Sequence, residues 1–175
     1  EQCGRKISQG DMTLDWPSPS SETIQLLQQY RMIRRANAGW ETTQATRPFL
    51  TGKWLEAIVY VQLLDSGAFD DTRMNVCVHG IENELDVTAT RSGQLAIIEC
   101  KSGELGGATI LNKLQAIRTG FGTFARLLFV SSRPHHQIDE QFRNRAKDYG
   151  VRQIITRETL TQAAEIVKNG MRGTP

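Results

Sequence analysis

The sequence predicts an α/β domain, a mixed β-sheet flanked by helices, with a short helical N-terminal segment. Two observations carry this. Residues 84–101 hold two alternating strands around a Ser92-Gly93 turn, and residues 108–169 then run helix, strand, helix, strand, helix. A hairpin followed by such an alternation places strands in one sheet and helices over it.

In chain order, residues 1–19 read as irregular, because Gly4, Gly10, Pro17 and Pro19 break any periodic pattern. Ser20 or Ser21 caps a helix predicted to run to about Asn37, with Ile24, Leu27 and Ile33 inward, and Ala38-Gly39 ends it. Residues 40–51 read as extended or loop. Lys53 to Leu64 is apolar nearly all round, which predicts a mostly buried helix, stopped by Ser66-Gly67. Arg73 to His79 reads as a strand. From Glu84 to Arg91, Leu85, Val87 and Ala89 share one face, and Glu84, Asp86 and Thr88 the other. Gln94 to Lys101 is the return strand. A helix at about Ala108 to Thr119 turns Ile110, Leu114 and Ile117 inward, and a buried strand follows at about Ala125 to Val130. Ile138 to Tyr149 is a polar helix stopped by Gly150, Val151 to Ile155 is a short strand, and Thr156 caps a last helix ending near Asn169-Gly170. The organisation expected is a linker or N-terminal helical segment over 1–40 and one domain over 41–175.

Composition narrows the function classes. With 39% hydrophobic residues, 175 residues suffice for a packed core. The longest apolar run, Trp54 to Val61, is interrupted by Glu56 and falls far short of the ~18 residues that span a membrane. No signal peptide is visible. Cys3, Cys77 and Cys100 are scattered without CxxC spacing, which predicts buried free thiols, a reducing cytoplasmic setting and no zinc site. No GxxxxGK[ST] loop occurs, so nucleotide hydrolysis is not implied, and Trp16, Trp40 and Trp54 show no interleaving with basic residues, so no base-stacking platform is read. The net charge of +2 conceals an asymmetry. Residues 1–100 hold 9 Lys and Arg against 13 Asp and Glu, a net of −4, while residues 101–175 hold 12 against 6, a net of +6. The second half suits a polyanion and the first supplies carboxylates, although solvated helix faces would give the same counts.

The hairpin carries the chemistry. With Ser92 and Gly93 as the turn, Asp86 falls directly opposite Glu99, and Glu84 opposite Lys101. Such pairs hold their Cβ atoms about 4.5–5.5 Å apart on one face. Two facing carboxylates repel unless they are solvated or a cation lies between them, and a hard divalent ion such as Mg²⁺ or Mn²⁺ suits oxygen ligands. Lys101 shares the Glu99 face, where an ammonium can balance a carboxylate and polarise a metal-bound water; the Cys100 carbonyl is a further candidate ligand. A cross-strand salt-bridge ladder is the competing reading. Against it, Leu95, Ile97 and Ile98 make the second strand apolar, so the charges sit at the end of a buried strand. Glu56 is a carboxylate within an apolar helix and needs a partner, either a metal-bound water or an arginine.

Glu56, then Asp86, then Glu99-Cys100-Lys101, in this order, resemble the PD-(D/E)xK (restriction-endonuclease-like) nuclease superfamily. More narrowly, four stretches resemble the nuclease domain of CRISPR-associated proteins that join a CARF sensor domain to such a nuclease. They are Phe49-Leu50-Thr51-Gly52-Lys53-Trp54-Leu55-Glu56, Asn83-Glu84-Leu85-Asp86-Val87, Ile97-Ile98-Glu99-Cys100-Lys101-Ser102-Gly103 and Leu111-Asn112-Lys113-Leu114, with Leu127 to Arg133 beyond. Leu85 stands where many superfamily members carry proline before the aspartate. The resemblance covers roughly residues 47–135. It implies a restriction-endonuclease-like fold and a metal-dependent phosphodiesterase acting on DNA, RNA or both. Asp86 and Glu99 would bind Mg²⁺ or Mn²⁺, Glu56 would bind it directly or through water, and Lys101 would position the attacking water. Lys113 would meet a phosphate. A sensor domain would belong to a longer parent chain, and homodimers are common among such nucleases.

Arg143, Arg145 and Lys147, with Arg152, could form a basic strip along nucleic acid, or a plain helix surface. His135-His136 after Pro134 reads as a solvated loop pair. Two alternatives stay open: a junction-resolving or DNA-repair nuclease of the same fold, and a non-catalytic nucleic-acid-binding module.

Overall fold

The computed structural model describes residues 13–14, 20–36, 39–79, 84–105, 108–122 and 125–172. Cys3, Trp16, Ala38 and Asn83 lie outside them, as do most of residues 1–19. The chain divides into two compact units, Glu1–Trp54 and Leu55–Pro175.

In the first unit, strand β1 (Thr13–Leu14), helix α1 (Ser21–Gln29), β2 (Ile33–Ala36) and β3 (Gly39–Thr42) form a small α/β cluster, with β3 central between antiparallel β1 and β2. Ser20 caps α1 by accepting from the Thr23 amide at 3.1 Å. The helix predicted to reach Asn37 stops at Gln29, and Arg31 enters the left-handed region at φ 56°. Beyond it, pairing with β3 outcompetes helix propensity: Ile33 is buried with Leu50 against Ile24, Leu27, Trp40 and Phe49. Gly39 opens β3 instead of closing a helix.

The second unit is a five-stranded sheet in the order β4-β5-β6-β7-β8, formed by Asp71–Val76, Leu85–Arg91, Gln94–Lys101, Ala125–Ser131 and Val151–Ile155. β4, β5 and β6 pair antiparallel, while β6, β7 and β8 pair parallel. The mixed sheet expected from the sequence is borne out. Ser92 (φ 49°) and Gly93 (φ 76°) are both left-handed, as a two-residue hairpin requires, and Asp70 Oδ2 accepts from the Ser92 amide at 2.6 Å. Helices α3 (Ala108–Phe121) and α4 (Glu140–Asp148) share one core with the sheet, which includes Ile97, Leu114, Ile117, Leu127, Phe129 and Phe142. Leu128, pointing the other way, meets Gly170 of α5 (Ala163–Met171). Helices on both faces explain why every residue of β7 is buried. Gly150, at φ 83°, ends α4. Thr156 caps a 3₁₀ turn, Arg157–Gln162, that precedes α5.

Helix α2 (Trp54–Asp65) follows the segment Phe49–Lys53, whose backbone kinks out of helical geometry at Gly52. It is less buried than its composition predicts: Leu55, Val59 and Leu63 are fully buried, but Ile58, Val61 and Leu64 are exposed. An all-apolar helix carries no periodic signal of which side meets the core. Among the described residues, no helix is long and apolar enough to cross a membrane. Cys100 is buried as expected, whereas Cys77, on the loop after β4, is exposed.

Candidate active site

The hairpin register places the first two carboxylates. Val87 pairs with Ile98 and Thr88 with Ile97, so one step further Asp86 faces Glu99. Instead of continuing the backbone ladder, the Asp86 side chain takes it over: its Oδ2 accepts from the Cys100 amide at 2.7 Å. Strict alternation also ends here. Leu85 packs with Ile97, Leu127 and Phe129, leaving the Val87 and Ala89 face that the pattern assigned it. Across from Asp86, between the Met74–Val87 and Val76–Leu85 pairs, Asn75 is left-handed at φ 56°. The irregular strand start turns Asp86 toward the end of β6.

Glu99 is buried, and α3 supplies its partner. Lys113 Nζ donates to Glu99 Oε1 at 2.8 Å and lies 2.6 Å from Oε2 and 3.7 Å from Asp86 Oδ1. One ammonium thus serves two carboxylates. Burial, then the Asp86 charge, pushes the Glu99 carboxyl from the usual 4.5 to about 7, against the lowering influence of Lys113 and, less strongly, Lys101. Burial by itself would lower the Lys113 ammonium; the Glu99 hydrogen bond and the two anionic charges together outweigh it and raise its pKa. Burial, followed by the charges of Asp86, Glu56 and Glu99, lifts the Cys100 thiol well above its usual range, so it is no nucleophile.

Of the residues singled out in the sequence, Asp86, Glu99 and Lys101 therefore converge. Glu56, in the first turn of α2, acts on the same Cys100 thiol as Asp86 and Glu99. Among the described residues, no three His, Cys, Asp or Glu side chains are grouped to hold a metal ion. The Lys113 ion pair was not foreseen. Its only sequence signal is position: Lys113 lies beside the buried Leu114 and two residues past the buried Leu111, at the margin of the buried face of α3.

A sequence model of the family described as "Card1-like, endonuclease domain" matches residues 43–173. The chain belongs to that family. It is a Card1-like endonuclease domain, and the resemblance to nucleases of the PD-(D/E)xK kind is borne out. Among solved structures, protein VC1899 from Vibrio cholerae is 26% identical, with a TM-score of 0.70, over 87% of this chain and 43% of that one. Can2 from Sulfobacillus thermosulfidooxidans, solved with cyclic tetra-adenylate, is 20% identical, with a TM-score of 0.71, over 90% and 47%. The Card1-like domain thus spans less than half the length of either protein. No curated protein sequence matches it.

In the Card1-like domain the basic residues of α4 diverge in their surroundings. Arg143 Nη1 donates to the backbone carbonyl of Ile138, tying the helix to its own approach, while Arg145 and Lys147 are exposed. His135 and His136 form an exposed 3₁₀ turn whose first amide donates to Glu158.

Proposed function

We propose that this endonuclease domain hydrolyses phosphodiester bonds in DNA, RNA or both, with Mg²⁺ or Mn²⁺ held at Asp86 and Glu99. The observation that carries the reading is the Asp86–Glu99 pair itself. Two carboxylates meet at the end of a buried strand, and Lys113 alone leaves them one negative charge in excess when both are ionised. Hard oxygen donors with surplus negative charge fit a divalent ion. The Cys100 carbonyl and Glu56, directly or through water, would complete the ligand set. Bound there, the ion would supply Lewis acidity toward a phosphate and a lowered pKa for water.

The chain's own residues divide the remaining work. Glu99 must be ionised to act as a ligand, so its carboxyl, near 7, has to lose its proton first. Lys113 must leave Glu99 to make room, which places its ammonium to meet a phosphate oxygen. Lys101, on the Glu99 face of β6, would hold the attacking water in line. Arg145 and Lys147 would follow the nucleic-acid backbone, making affinity salt-dependent; Arg143, bound to the Ile138 carbonyl, is less suited.

The parent protein is proposed to be a homodimeric cytoplasmic CRISPR-associated defence nuclease with a separate sensor domain. A cyclic oligonucleotide of the kind Can2 binds would be that sensor's ligand class. The Lys113 ion pair favours one other reading, a non-catalytic module in which lysine permanently replaces the metal.

Cleavage of labelled single-stranded, double-stranded and branched DNA and RNA, with Mn²⁺, Mg²⁺ or EDTA, tests these readings. Metal-dependent cutting abolished by Glu99→Ala is expected. Branched-duplex preference would instead indicate a junction-resolving nuclease. No cutting together with no Mn²⁺ binding by calorimetry would leave the non-catalytic module.

A further inference from the structure

The second unit holds a cavity of about 330 Å³, at the lower end of the ~300–1,000 Å³ typical of ligand sites. Its apolar lining comes from Leu105, Leu111 and Phe142, and its polar lining includes the amides of Gln137 and Gln141. Two guanidinium groups, Arg133 and Arg145, complete the basic part.

The chain places this cavity beside the carboxylate pair. Glu104 and Leu105, both lining residues, follow Lys101 by three and four positions, and three extended residues reach at most about 11 Å. Leu111 precedes Lys113 on α3 by two. The end of β7 is fastened to the same segment: Ser132 Oγ donates to the Ser102 carbonyl at 2.7 Å, and Arg133 Nε donates to the Gly103 carbonyl at 3.1 Å.

Charge selects the ligand. Arg133 lies 3.7 Å from Glu104, and the fourth charged lining residue, Asp139, caps α4 by accepting from the Gln141 amide. Two acidic groups offset two basic ones, which disfavours an isolated phosphate. A neutral, flat ring with a hydrogen-bonding edge fits better. Leucine and phenylalanine side chains would cover its faces, while amides, able both to donate and to accept, and the Arg133 guanidinium meet its edge, leaving Arg145 for the backbone.

We propose that this cavity receives one unstacked nucleobase of the strand whose neighbouring phosphate lies at Asp86 and Glu99, with Gln137 and Gln141 reading the base edge. The proposal rests on the nucleic-acid reading above and adds a determinant of sequence preference to it.

The test is binding of fluorescent single-stranded hexanucleotides to the chain in EDTA, followed by anisotropy. Each position is made abasic in turn and then varied through the four bases, for wild type and for Gln137→Ala/Gln141→Ala. Both glutamines are exposed, so their truncation leaves the core intact. In the wild type, one position is expected to lose about tenfold in affinity when abasic and to discriminate among bases by a similar factor. The double variant is expected to lose that discrimination. Equal tolerance at all six positions, or discrimination unchanged in the variant, would overturn the proposal. Because EDTA removes cutting from the assay, failure of the catalytic reading would show in the cleavage experiment and not here; an intact hexanucleotide that does not bind would overturn the base-pocket proposal and leave the catalytic reading to the cleavage experiment.

Discussion

The ammonium of Lys113 sits astride both carboxylate oxygens of Glu99, 2.8 Å from Oε1 and 2.6 Å from Oε2, with Asp86 Oδ1 3.7 Å away. It occupies the position between two carboxylates that a cation must fill. Replacing it therefore separates the two readings of the site. Lys113→Met leaves Asp86 and Glu99 facing each other with less compensation, and removing one partner of a partly buried pair costs about 2 kcal/mol. For a chain of this size that corresponds to a fall of roughly 5 °C in Tm. Calorimetric melting in EDTA should show the fall, and Mn²⁺ should restore more stability to the variant than to wild type. Equal gains in both proteins would mean that Lys113 and the ion do not compete.

Glu99 gives the apo domain a stability that depends on pH. Its folded carboxyl is raised from 4.5 to about 7, so between those values the folded state binds more protons than the unfolded state. The contribution of Glu99 is thus most favourable below about 4.5 and is lost as pH rises through about 7. A shift of this size corresponds to about 3 kcal/mol at most. Glu99→Gln, which cannot ionise, should melt higher than wild type at pH 8 in EDTA and nearly level with it at pH 5. The same proton opposes metal: Mn²⁺ affinity should climb with pH up to about 7 and then level off, since the ligand must be ionised. Identical melting of Glu99→Gln and wild type at both pH values would place the Glu99 pKa near its ordinary value.

How far the sequence reached follows from which interactions are local. The hairpin was legible because Ser92-Gly93 fixes a two-residue turn, and the turn fixes the register that sets Asp86 opposite Glu99. β7 was legible as a continuous apolar run, since helices cover both its faces. The Lys113–Glu99 ion pair is not legible in the sequence because it depends on where α3 crosses the end of β6, a relation between residues 14 positions apart. The extent of α1 failed for a similar reason: Ile33 to Ala36 are as compatible with helix as with strand until β3 pairs with them. Leu85 departs from its alternation only because the strand is distorted opposite Asn75.

Helix α2 offers a sharper contrast, between adjacent leucines that the sequence treats alike. Leu63 is fully buried, whereas Leu64 is 53% exposed. Leu63→Ala removes packed methyl groups and leaves a cavity, at a cost of about 2–5 kcal/mol. Leu64→Ala removes atoms already half in water, and alanine keeps the helix propensity, so its cost should stay near 0.5 kcal/mol. Urea denaturation of both variants measures the difference through the midpoint at unchanged slope. Similar large losses at both positions would mean that Leu64 is covered in solution, and a midpoint for Leu64→Ala that varied with protein concentration would identify a second copy of the chain as the cover.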